Sequence, residues 1–185
     1  MKLSDSAAER AVLSGIFNYG EDVYFDICDL VQEQSFTIDS NIYLYKCFRH
    51  IFTNHQNPKL DVALVLSAAE ELSLSKILTK KEEIQHLQAI INFPVDKDNL
   101  RKFAAKIKKL EIARLLQQQL EEAKDKVVKI NGNESIGNIV GIAEDIIFNF
   151  TSMLNDTEDA PSELGKNIED YINENSQNFE MYLLF

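Results

Sequence analysis

Residues 96–154 read DKDNLRKFAAKIKKLEIARLLQQQLEEAKDKVVKINGNESIGNIVGIAEDIIFNFTSML, and this stretch decides the fold. Between Asp98 and Lys129 there is neither Gly nor Pro, and strong helix formers dominate. One long helix of roughly 45–50 Å is expected, at about 1.5 Å per residue. Apolar residues recur at Leu100, Phe103, Ile107 and Leu110, then after one phase slip at Ala113, Leu116, Leu120, Ala123, Val127 and Ile130. That spacing lays a seam along one side of the helix. Asn131-Gly132 supplies residues that tolerate the left-handed conformation of a helix end. Ser135 or Asn133 can cap a return helix whose seam is Ile136, Ile139 or Val140, Ala143, Ile146 or Ile147, Phe150 and Leu154. The expectation is an antiparallel helical hairpin. Two helices bury only one face of each, so the hairpin needs a further partner. The residues expected to drive self-association are Phe103, Ile107, Leu110, Leu116, Leu120, Ile139, Ile146 and Phe150.

Outward from the hairpin the chain reads as all-α. Ser6-Ala7-Ala8-Glu9 has the form of a capping box and opens a helix through Ala8, Val12, Ile16 and Tyr19 that Gly20 stops. A short helix is expected from about Val23 to Val31, and another over Asn41 to Asn54, capped by Asp39 or Ser40. Beyond Pro58, Asp61 caps a helix carrying Val62, Val65, Leu66 and Ala69. Thr79 to Glu82 reads as a second capping box, with the helix behind it ending before Pro94. After Leu154, residues 155–159 are polar and acidic. A last helix, about Ser162 to Asn175, has Leu164, Ile168, Tyr171 and Ile172 on one narrow stripe, spaced to dock in a groove. The organisation expected is a globular helical head over 1–95, the hairpin over 96–154 and an acidic linker with its docking helix over 155–185.

Charge is unevenly spread. Residues 1–40 carry eight acids and two bases, residues 41–129 eleven acids and sixteen bases, and residues 130–185 eleven acids and one base. The net charges are −6, +5 and −10, totalling the −11 of the chain. Arg101, Lys102, Lys106, Lys108 and Lys109 form a basic run with no acid among them. Such a run is either a solvated helix face or a stripe for an acidic partner or nucleic acid. The acidity of the whole chain argues for weak DNA binding at most.

Chemistry is sparse. Cys47, His50 and His55 form the best metal-ligand spacing, but a closed zinc site needs four ligands and no fourth is in sight. Gly132-x-x-x-x-Gly137 has the outline of a phosphate loop, yet Asn138-Ile139 stand where Lys and Ser or Thr are required. Glu70-Glu71 and Glu82-Glu83 are acid pairs expected on solvent faces, poor positions for acid–base work. Cys28 and Cys47 are expected to stay reduced, no apolar run is long enough to span a membrane, and a cytoplasmic location follows. No catalytic residue, metal or cofactor is expected in this chain.

Several segments together resemble the N-terminal domain of DnaB-type replicative DNA helicases of bacteria and their phages. Ala8 to Ile16 looks like the family's opening E-x-A-V-L-G-x-x-L helix, with Ser14-Gly15 where Leu-Gly is usual. Phe36 followed by Tyr45, Phe48, Arg49, Ile51 and Phe52, then Leu60-Asp61-Val62, His86 to Ile90, Phe103 to Ile107 and Arg114 to Leu116, resembles later family segments in order and spacing. The resemblance implies a helical head, a hairpin that pairs between two copies, and three such dimers forming a collar above the motor ring. It also implies docking of primase or helicase loader, and a linker helix that lies on a neighbouring subunit's motor domain. ATP and magnesium would belong to that motor domain. A free-standing helical regulator of a helicase, loader or primase is the competing reading.

Overall fold

The computed structural model describes residues 3–155, in which eight α-helices and two 3-10 turns are the only regular elements. The helices are α1 Ser6–Tyr19, α2 Glu21–Ile27, α3 Asp39–Asn54, α4 Val62–Glu71, α5 Ser75–Leu78, α6 Lys81–Ile91, α7 Leu100–Val128 and α8 Ile136–Asn155. The tail helix expected over Ser162 to Asn175, with Leu164, Ile168, Tyr171 and Ile172, lies outside the described residues. The chain forms two compact units, Met1–Gln118 and Gln119–Phe185.

Unit 1 is built around α1 and α3. α1 packs on α2, α3 and α6, while α3 also meets α4, α6 and the 3-10 turn Glu33–Ser35. Ala8, Val12, Leu13 and Ile16 of α1 and Leu44, Phe48 and Ile51 of α3 are almost wholly buried, at the helical spacing read from the sequence. Tyr24, Phe36, Tyr45 and Phe52 stack or tilt against one another at ring separations of 4.7–6.5 Å. The Tyr45 hydroxyl donates to the Val31 carbonyl at 2.5 Å, and burial raises its pKa. The core continues into α7 through Leu100, Ala104 and Ile107. The first unit therefore runs past the boundary drawn at residue 95, because the opening turns of the long helix complete its core. Gly15 shows how close that packing is: a Cβ added there would meet the Leu100 methyl groups at 2.3 and 2.5 Å. A glycine in mid-helix, unfavourable by roughly 0.5–1 kcal/mol against alanine, is explained by that approach.

Several sequence expectations are corrected. The cap of α1 is Asp5, whose carboxylate accepts from the Ala7 and Ala8 amides at 3.1 and 3.0 Å. Glu9 does not reach back to a Ser6 cap. It is 1% exposed, and its carboxylate accepts from the Thr37 amide at 2.9 Å, the Thr37 hydroxyl at 2.5 Å and the Asn41 side-chain amide at 2.8 Å. Thr79 likewise bonds backwards, to the Ser75 carbonyl at 2.6 Å, and α6 starts behind Lys80 without a side-chain cap. In addition, α2 ends at Ile27 rather than near Val31, and α5 is too short for periodicity to signal. Glu83 does not lie on a solvent face: one carboxylate oxygen accepts from the Ser40 hydroxyl at 3.0 Å and the other is buried. The caps at Gly20 and Asp61 stand where the sequence placed them.

The Glu9 network extends to His86. Asn41 presents its amide N–H to Glu9 and its carbonyl to His86 Nε2, 2.7 Å away, so Nε2 carries a proton. Burial, helped by Arg10 and opposed by Glu83, lowers the His86 pKa below its usual 6.5. The unfolded chain then binds more protons than the folded chain at mildly acidic pH. Stability from this group is present above the unfolded value and is lost as pH falls through the folded one. Between pH 7.5 and 5.5 the urea midpoint of His86→Gln should therefore fall less than that of the parent protein. Parallel pH profiles would show that His86 contributes nothing to the slope.

Candidate assembly surface

Unit 2 contains the end of α7, a turn and α8. α7 closes with Lys129 and Ile130 amides bonded to Lys126 and Val127 carbonyls, and Gly132 then takes φ +90°. Only a glycine adopts that conformation without strain. The turn is closed by Glu134, whose carboxylate accepts from the Gly132 amide at 3.0 Å and the Asn131 amide at 3.2 Å. Its own backbone amide, with those of Asn131, Gly132 and Asn133, holds the Glu134 carboxyl below the usual range. The Ser135 hydroxyl accepts from the Asn138 amide at 3.2 Å and starts α8, as expected. The outline of a phosphate loop at Gly132 is thus a helix-capping turn whose donors face a carboxylate.

The end of α7 and α8 expose large apolar side chains. Leu120 is 53% exposed, Ile136 80%, Ile147 65% and Phe148 71%, with Val127, Val128 and Val140 also open. On α8, Ile136, Val140, Ala143 and Ile147 follow each other at steps of four, three and four. That places them on a single face. Among the residues expected to self-associate, Leu116, Leu120 and Ile139 are exposed. Leu110, Ile146 and Phe150 are half-buried, and Phe103 packs against the core of unit 1. Ile107 is 1% exposed inside that core and is not offered to any other chain. Periodicity left Ile139 or Val140, and Ile146 or Ile147, as alternatives. The burial pattern puts Val140 and Ile147 on the open face and adds Phe148, which no spacing rule singled out.

The basic run is largely engaged with acids of its own chain. Arg101 reaches Asp29 at 2.7 Å and also bonds the Asp26 carbonyl, and Lys106 meets Asp5 at 2.5 Å. The Asp5 carboxyl is held below its usual range chiefly by Lys106. Lys108 is buried beside Glu111 at 3.4 Å. Lys102 donates to Asn99, and Lys109 is exposed. The pairs Lys97–Asp22 and Arg101–Asp29 show where the acids of 20–29 spend much of their charge.

The metal reading of Cys47 fails on geometry. Cys47 is wholly buried, burial pushes its thiol up to about 11, and His50 instead bonds Glu71 at 2.7 Å. Among the described residues no cluster of three His, Cys, Asp or Glu could hold a metal ion. Likewise, among them no helix is long and apolar enough to cross a membrane.

A family model described as DnaB-like helicase N terminal domain matches residues 1–109. The chain belongs to that family. The matched span encloses the apolar core of unit 1, which runs from Ala8 to Ile107. The chain is also similar to the crystal structure of the N-terminal domain of DnaB helicase from Mycobacterium tuberculosis. The two share 17% sequence identity and a TM-score of 0.66, with 80% of this chain and 99% of that chain covered. At that identity the likeness establishes the fold. Since 80% of 185 residues exceeds 109, it reaches beyond the span of the DnaB family model. No curated protein matches the chain. The all-helical architecture is that of a DnaB-like N-terminal domain, the non-motor part of such a helicase.

Proposed function

We propose that this DnaB-like domain acts in the cytoplasm as the assembly collar of a hexameric replicative helicase, joining subunits through unit 2 and offering a docking platform for primase or helicase loader. The observation that supports it is the set of open apolar side chains on the end of α7 and on α8. A chain that works alone gains nothing by leaving them in water. A two-fold contact is the simplest way to cover such a face, because each copy supplies the same stripe to the other. Three dimers would complete the collar. Leu164, Ile168, Tyr171 and Ile172 would serve as the linker stripe on a neighbouring motor domain, where ATP and magnesium would act. DNA contact is a minor part of this reading, since Arg101, Lys106 and Lys108 are turned to acids of their own chain.

Sedimentation across a concentration series tests the central claim. The weight-average mass should rise from monomer to dimer or higher as the chain passes through tens of micromolar. Strictly monomeric behaviour over that range would remove the reading. Binding to duplex or single-stranded DNA should be weak and should fall steeply with added salt.

A further inference from the structure

Apolar attachment of α7 to unit 1 ends earlier than its polar attachment. Leu100, Phe103, Ala104 and Ile107 belong to or pack on the core, and no later residue of α7 does so among those described. Beyond Ile107 the helix is tied by polar groups. Glu111, 3% exposed, accepts from the Ser35 hydroxyl at 2.5 Å and from Lys108 at 3.4 Å. One turn on, Arg114 gathers three backbone carbonyls: Leu3 at 2.8 Å, Gln34 at 2.8 Å and Ser35 at 3.0 Å. One side chain thus pins the N-terminal segment and the 3-10 turn Glu33–Ser35 against α7. The turn is fastened on its other side by Lys46 and Arg49, which hold Glu33 at 3.1 and 2.9 Å.

We propose that Glu111 and Arg114 form a releasable polar clasp, through which residues 108–118 of α7 can part from the rest of unit 1 while the apolar core stays shut. The physical reason is the difference between the two kinds of contact. Carbonyls and a guanidinium released from one another regain water, which returns most of the energy of their bonds, whereas parting Leu100 or Ile107 from the core opens apolar surface with nothing to replace its contacts. Arg114 suits the role because its planar fork can serve several acceptors at once, which a lysine cannot do in the same geometry. The clasp also links distant segments. Anything that displaces residues 3–5 or the Glu33–Ser35 turn removes Arg114's acceptors, and release of α7 frees those segments in return.

Amide hydrogen exchange on the intact chain tests this, comparing the parent protein with Arg114→Ala, Arg114→Lys and Ser35→Ala. Exchange should accelerate at least tenfold in Gln32 to Phe36 and in Lys109 to Gln118 together. Ala11 to Ile16 of α1 and Leu44 to Ile51 of α3 should stay as slow as in the parent. Arg114→Lys should fall between parent and Arg114→Ala. Unchanged exchange in both segments would overturn the clasp. So would acceleration that spreads equally through α1 and α3, or wholesale unfolding of Arg114→Ala, because either would make Arg114 part of the core rather than a fastening upon it.

Discussion

Leu120→Asp combined with Ile147→Asp is expected to give a folded chain that no longer self-associates. Both side chains are more than half exposed, so the substitutions leave the core of unit 1 untouched. Their cost falls on the contact between copies. Fully burying a Leu or Ile side chain is worth roughly 1.5–3 kcal/mol, and a two-fold contact uses each residue twice. Leu120, Ile136, Val140 and Ile147, already part-covered, then supply on the order of 10 kcal/mol gross. Association itself takes at least about 4 kcal/mol, leaving about 6, which corresponds to a Kd of tens of micromolar. Two aspartates per copy remove about half of the apolar gain and bring four like charges together, so the dimer should become undetectable below millimolar concentration. Sedimentation and circular dichroism check both halves of this expectation. A double variant that still dimerises with the parent's affinity would mean that another surface holds the copies together.

Glu9→Ala should destabilise unit 1 by about 3–5 kcal/mol, a large part of the 5–15 kcal/mol that holds a typical domain. The substitution leaves the Thr37 amide, the Thr37 hydroxyl and the Asn41 amide without their acceptor, with Asn41 fully buried and Thr37 half-buried. Each orphaned buried donor costs about 1–3 kcal/mol, and the lost side chain leaves a void besides. Glu9→Gln should cost less, since its carbonyl can still accept while its NH2 faces donors. Urea unfolding with an unchanged slope measures the loss. A change under about 1 kcal/mol for Glu9→Ala would show that water replaces the carboxylate without strain.

The family resemblance rests on the same segments that build the core: Ala8, Val12 and Ile16, then Tyr45, Phe48 and Phe52, then Phe103 and Ile107. These were legible because a buried helix face repeats every three or four residues and tolerates little but apolar side chains. The turn at Asn131-Gly132 was legible for a different reason, the backbone conformation that Gly132 alone adopts freely. The partners of polar side chains were not legible. Ser6-x-x-Glu9 has the spacing of a capping box, but Asp5 lies one residue earlier with two acceptor oxygens, and Thr37 and Asn41 lie across the fold with three donors for Glu9. Nothing within four residues of Glu9 announces them.

The open surface divides in the same way. Sequence alone determined an all-helical chain with a long helix, a tight turn and a second helix carrying more apolar surface than one partner can cover. Tertiary structure decided that Ile107 belongs to the core of unit 1, that Val140 and Ile147 rather than Ile146 stand open, and that the basic run answers acids of its own chain. Periodicity is a property of one helix and records that a face will be buried. Which neighbour buries it, and which charge meets which, depends mostly on residues brought together from distant parts of the chain, as Arg101 with Asp29 and Lys106 with Asp5 are, and no local pattern carries that information; Lys108 and Glu111, one helical turn apart, are the exception.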